Sequence, residues 1–91
     1  MVETFDFGEA LKRLKKGKKV SRIGWNGKGQ FVYYVSADRY DAKMDVAKSF
    51  ADKDGKVNYN AYLAIKTVQG TVVPWLASQT DLLEEDWYEV K

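Results

Sequence analysis

The chain has 91 residues, 45% of them hydrophobic and 14% aromatic, with a net charge of +2 from fifteen basic and thirteen acidic side chains. That describes one folded domain with a thin core, spanning residues 1–91, and the near-balance of charge argues against a dedicated binder of nucleic-acid polymers. The lack of both cysteine and histidine excludes disulfides, thiol nucleophiles, zinc-thiolate sites and every histidine-based triad, so an enzyme would have to work with carboxylates, lysine, tyrosine or a metal carried by its substrate.

Residues 6–16 read as a helix. Phe7, Ala10, Leu11 and Leu14 fall on one stripe, Asp6 with Glu9 makes a capping-box pattern, and Gly17 is a natural stop. The lysines from 12 to 19 suit the negative end of that helix and its solvated face better than they suit a nucleic-acid patch. Residues 18–24 predict a short strand with Val20 and Ile23 as its apolar members. Three glycines in the six residues 24–29 then predict a tight connection with exposed backbone. Gln30 to Ser36 is β-branched and aromatic and predicts a second strand.

Ala42, Val46, Ala47 and Phe50 have roughly helical spacing, so a short helix is expected within 41–52, closed by a turn at 52–56. Strands follow near 61–67 and 71–75. Gln69-Gly70 between them suits a two-residue hairpin turn, and Pro74 belongs at a strand end or an edge. Ser78 is a plausible N-cap for a short helix through Leu83, and Trp87 to Val90 reads as a last strand. Hairpin-length connections predict an α+β fold: a small antiparallel sheet with an N-terminal helix and a second short helix packed on it. No stretch is long and apolar enough to cross a membrane. The acidic start, without a signal-peptide pattern, predicts a protein that stays in the cytoplasm where it is made.

Two segments put polar groups beside tryptophan: Arg22 to Lys28, containing Trp25 and Asn26, and Pro74 to Asp81, containing Trp75, Ser78, Gln79 and Thr80. An exposed indole stacks on a nucleobase, worth roughly 1–3 kcal/mol in single-strand binders. Asn26, Ser78, Gln79 and Thr80 can read base edges or ribose hydroxyls. Asp81 can accept from ribose, while Arg22 and Lys28 can offset phosphate charge. The competing reading is structural: Trp25 and Trp75 as core residues, Asn26-Gly27 as an ordinary turn, Ser78 as a cap. Trp87 belongs to the core. Asp81, Glu84, Glu85 and Asp86 could suggest a glycosidase pair or a magnesium site, but clustered in six residues they read more simply as a solvated acidic turn. From the residues alone the expectation stops at a small α+β binding module.

Phe7-Gly8-Glu9-Ala10-Leu11, Gly17 to Val20, Arg22, Gly24 to Gly29, and then Val73 to Leu83 with Glu85-Asp86-Trp87 together resemble the small phage proteins called Thoeris anti-defense two. The resemblance covers nearly the whole chain. It implies a sponge that sequesters a cyclic ADP-ribose-type immune signal in the host bacterial cytoplasm without cleaving it, and therefore no catalytic residue, cofactor or metal. Some relatives also bind cyclic dinucleotides. It further implies a homo-oligomer, expected to be a tetramer, with pockets at subunit contacts and the base stacked by Trp25 and Trp75 from either side. The alternatives are a hydrolase of the same signal acting through Asp81 or Glu84, and an oligonucleotide-binding module using the lysine-rich helix and Tyr33-Tyr34. The chain departs from the resemblance at residues 38–58, where a charged, helix-like segment replaces an irregular, proline-containing insert.

Overall fold

The computed structural model describes residues 2–91. Helix α1 runs Phe7–Lys15, and Asp6 caps it by accepting the Glu9 N–H at 2.9 Å. The Glu9 carboxylate does not return the favour. It turns one helical turn on, to Arg13 at 3.0 Å. At the other end Gly17 has φ +89°, the Gly17 N–H reaches the Leu14 carbonyl and the Lys18 N–H reaches that of Arg13. These two bonds make a Schellman stop, which requires a residue at ease in the left-handed region.

The strands are β1 (Lys19–Arg22), β2 (Phe31–Val35), β3 (Asp38–Asp41), β4 (Lys56–Tyr59), β5 (Tyr62–Lys66), β6 (Val72–Pro74) and β7 (Trp87–Val90). Five of them form an antiparallel sheet in the order β6-β5-β2-β1-β7, while β3 and β4 pair as a separate two-stranded sheet. The short helices α2 (Asp45–Lys48) and α3 (Gln79–Leu83) complete the chain. The α+β class follows.

Along β2, Val32 points to the core while Phe31, Tyr33 and Val35 point the other way, by the two-residue period of a strand. Val20, Val32 and Trp87 meet Ala10 and Leu14 of α1 in a fully buried cluster, with Phe5, Phe7, Trp25, Leu63, Ile65 and Trp75 packed around it. Full burial of Leu14, Val20 and Val32 contributes about 1.5–3 kcal/mol each. The opposite face pairs Phe31 with Lys66 and Tyr33 with Ala64. Among the described residues no helix lies on that face: α1 packs against β1, β2 and β7, and α2 buries none of its residues.

Three local expectations change. Helix within 41–52 shrinks to Asp45–Lys48, because Asp38–Asp41 pairs as a strand with Lys56–Tyr59. The apolar spacing there answers to no core, and Val46 and Phe50 are exposed. It is α3, not this segment, that packs against α1. The loop between β5 and β6 is also longer than two residues. Thr67 and Thr71 close it through backbone and hydroxyl bonds, leaving Val68, Gln69 and a left-handed Gly70 at φ +89°, the three-residue form with glycine last.

The pairings Val35 with Tyr62 and Asp38 with Tyr59 share one register. The two ladders are thus one long ribbon, interrupted at 36–37 and 60–61, that runs out of the main sheet as an arm. The molecule measures 51 × 26 × 25 Å with a radius of gyration of 15.7 Å, against about 12 Å expected for a compact chain of this length.

Candidate functional site

The glycine-rich loop between β1 and β2 is anchored from below by acids. Asp86 lies just before β7, and β7 pairs with β1 so that Arg22 faces Trp87. One Asp86 oxygen takes Arg22 Nε at 2.8 Å, and the other takes the Gly24 N–H at 2.8 Å. Arg22 Nη1 reaches on to Asp81 Oδ1 at 2.8 Å, and the Trp25 indole N–H donates to the same oxygen at 3.2 Å. The second Asp81 oxygen accepts the Ser78 N–H at 3.1 Å, while Ser78 Oγ accepts the Asp81 N–H at 3.0 Å. Ser78 is therefore the expected N-cap of α3, and the cap is reciprocal.

These contacts fix the charges. Asp86 is held below the usual carboxylate range, first by the Arg22 guanidinium and then by the Gly24 N–H, against the opposing effect of burial. Burial is the largest single influence on Asp81 and pushes its pKa up. The donors from Ser78, Arg22 and Trp25 together outweigh it, and the net direction is down. Both acids stay ionised, and Arg22, its own pKa raised by Asp86 foremost, stays cationic. The acidic run is thus divided. Glu84 and Glu85 are solvated as expected, but Asp81 is buried and Asp86 half-buried, and they serve as the counter-charges of Arg22.

The three tryptophans form one edge-to-face cluster. Trp25 lies 5.2 Å from Trp87 and 6.3 Å from Trp75 between ring centroids, at 77° and 69°. Trp87 is fully buried, as expected, and its indole N–H donates to the Asp81 carbonyl at 2.8 Å. Trp25 and Trp75 are half-buried. Within this chain they meet at a steep angle rather than face to face, and Trp25 packs against the core despite its glycine neighbours.

The loop borders an open cavity of about 450 Å³ lined by Trp25, Asn26, Lys28, Gln30 and Tyr88, together with Ser21 and Arg22. Gly27 is needed there, since a Cβ on it would lie 2.4 Å from Val68 Cγ2. Ser21 is buried and donates to the Gln30 carbonyl at 2.9 Å, fixing the loop's far end. Of the expected site residues, Trp25, Asn26, Arg22 and Lys28 line this cavity. Trp75, Ser78, Gln79, Thr80 and Asp81 do not. Gln30 and Tyr88 were not expected. Tyr88 alternates with Trp87 along β7, a signal that it faces the other way, but only the pairing with β1 brings it to Ser21.

A second, larger concavity of about 540 Å³ opens at the root of the arm, lined by Tyr33, Tyr34, Tyr40, Tyr59 and Tyr62. It carries no charged side chain, so a phosphate would have no counter-charge there. Among the described residues no cluster of three or more acidic side chains could hold a metal ion, and no helix is long and apolar enough to cross a membrane.

Residues 5–90 match the family model described as the Thoeris anti-defense 2-like domain. The chain is also 38% identical over 87 residues to the protein named Thoeris anti-defense 2 of Bacillus phage SP01, an alignment that spans 96% of each chain. A model match over nearly the whole length, with a relative of that identity and coverage, shows that this chain belongs to the Thoeris anti-defense 2-like family.

Proposed function

We propose that this protein counters Thoeris immunity by binding a cyclic ADP-ribose-type signal in the glycine-loop cavity and holding it intact. The observation that carries the reading is the composition of that cavity: an indole, an amide, a phenol and a lysine around glycine backbone, with no carboxylate in the lining. A purine can stack on Trp25, Asn26 and Gln30 can meet base edges or ribose hydroxyls, and Lys28 can face a phosphate. Arg22 and Asp81 act from beneath, holding the loop and Trp25 in place.

Sequestration without cleavage is favoured over hydrolysis because Asp81 lies outside the cavity lining and is already committed to three donors. Glu84 is exposed and outside the cavity. The oligonucleotide alternative finds little support, since the lysines of α1 lie at the end of a helix rather than along a groove.

We place this activity in a homo-oligomer, with four subunits as the expected number. Large apolar side chains stay exposed on the arm, among them Met44 at 74% and Phe50 at 65%, and after β6, where Leu76 is 92% exposed. Surfaces of this kind favour subunit contacts. A neighbour could then bring Trp75 or the start of α3 to the cavity, and cyclic dinucleotides form a second ligand class to test. The host bacterial cytoplasm is the expected setting.

The deciding experiment incubates the purified protein with lysate from cells making the signal, removes unbound material, heats the protein and identifies what is released by mass spectrometry. Recovery of the intact cyclic nucleotide is the expected result. A linearised product would favour the hydrolase, and no nucleotide at all would refute sequestration.

A further inference from the structure

We propose that Lys19 and Lys66, on the two strands that flank β2 and each within reach of the Phe31 ring, form an anion subsite that receives the phosphate groups of the bound nucleotide. The inference rests on the sequestration reading for the nucleotide's identity, but the subsite itself can be tested with a simple anion.

The first observation is an unmet need. Arg22 is the cation nearest Trp25 by sequence, yet its guanidinium is divided between Asp81 and Asp86 at 2.8 Å each. A diphosphate carries about two negative charges, and Lys28 alone cannot balance it.

The second is where unpaired cations lie. Lys66 is cross-strand from Phe31, and its ammonium lies 5.4 Å from the ring centroid; that of Lys19 lies 5.0 Å from the same ring. Both sit within about 10 Å of each other by those distances. Among the described residues neither makes an ion pair. Each cation–π contact is a weak restraint at an exposed site, so both ammonium groups stay available to an anion.

The third is continuity with the site. Lys66 Nζ lies 3.7 Å from the Cβ position of Gly29, and Gly29 lines the glycine-loop cavity. Lys19, Phe31 and Lys66 line a separate concavity of about 380 Å³ on the uncovered face of the sheet. Across the two concavities the lysines in the lining are Lys19, Lys28 and Lys66, and the lining holds no carboxylate. A cleft of one sign raises the local concentration of its counter-ion. A base on Trp25 would leave its phosphates running over Gly29 toward the lysine pair.

The test is calorimetric titration of inorganic pyrophosphate into the wild-type protein and into Lys19→Gln/Lys66→Gln, each confirmed folded by circular dichroism. The wild type is expected to bind at millimolar concentration or below, and the double variant at least tenfold more weakly, the loss of one charge-assisted hydrogen bond or more. No binding to the wild type, or equal binding to both, would overturn the subsite. The lysate capture is then run on both proteins. Signal retained by the wild type and lost by the variant supports the placement. Equal retention overturns the subsite and leaves sequestration standing, whereas failure of the wild type to retain signal refutes sequestration, with the pyrophosphate titration still deciding the lysine pair.

Discussion

Arg22 Nη1 lies 2.8 Å from Asp81 Oδ1, with side chains only 10% and 12% exposed, and the pair ties the end of β1 to the first turn of α3. These residues are 59 positions apart in sequence. Each is also shared: Arg22 with Asp86, Asp81 with Trp25 and Ser78. Within the chain, the second recognisable segment therefore supports the first through these bonds.

Asp81→Asn should accordingly lower stability before it lowers affinity. Removing one charge leaves Arg22 short of a partner in a largely dry setting, which costs about 3 kcal/mol when a buried pair is broken. Urea unfolding of the variant measures this. An unchanged midpoint together with affinity reduced tenfold or more would restore Asp81 to the role of a ribose acceptor.

The same network sets an acid limb. Asp81 and Asp86 have folded pKa values below the ordinary carboxylate value of about 3.9. Between the folded and unfolded values the unfolded chain binds more protons, so stability is fully present above roughly pH 5 and is lost as pH falls through the folded values. The unfolding midpoint should decline steeply below that point. Asp86→Asn should be less stable at neutral pH and should show a shallower acid decline. A parallel curve for the variant would remove Asp86 from the linkage.

Gly27→Ala would place a methyl group 2.4 Å from Val68 Cγ2 and 3.1 Å from Gln30 Oε1. Valine has few rotamers to give way with, so the loop must shift, at a cost of about 1–3 kcal/mol. Nucleotide capture should fall with it. Adding Val68→Ala should recover most of both losses, giving a favourable coupling in a double-mutant cycle. Strictly additive effects would mean that the loop and the β5–β6 turn do not meet.

Met44→Ser/Phe50→Ser tests the arm. Both side chains are exposed and touch no core, so the double variant should leave the unfolding free energy of the isolated chain unchanged within about 0.5 kcal/mol. Light scattering at micromolar concentration should show a smaller assembly than the wild type. An unchanged mass would direct attention to Leu76 and Leu83 as the contact.

The sequence by itself determined the elements whose signals are local. The Asp6 cap, the stop at Gly17, the Ser78 cap and the aromatic strand from Phe31 to Val35 all depend on residues within a few positions of one another, where capping and alternation act. Burial of Trp87 was legible in the same way. The arm was not: apolar residues at helical spacing between 42 and 50 carry that periodicity whether or not a core exists to receive them, and the pairing of Asp38–Asp41 with Lys56–Tyr59 is invisible to a short window.

The site divides along the same line. Residue types placed Trp25, Asn26 and Lys28 at a loop, and the cavity contains them. Only the tertiary structure decided that Asp81 and Asp86 serve Arg22, that Trp75 turns its ring against Trp25, and that Gln30 and Tyr88 border the cavity. Each of those outcomes depends on strand order and register, which bring residues dozens of positions apart to hydrogen-bonding distance. A charge or an indole carries no mark in sequence of which partner will neutralise or bury it.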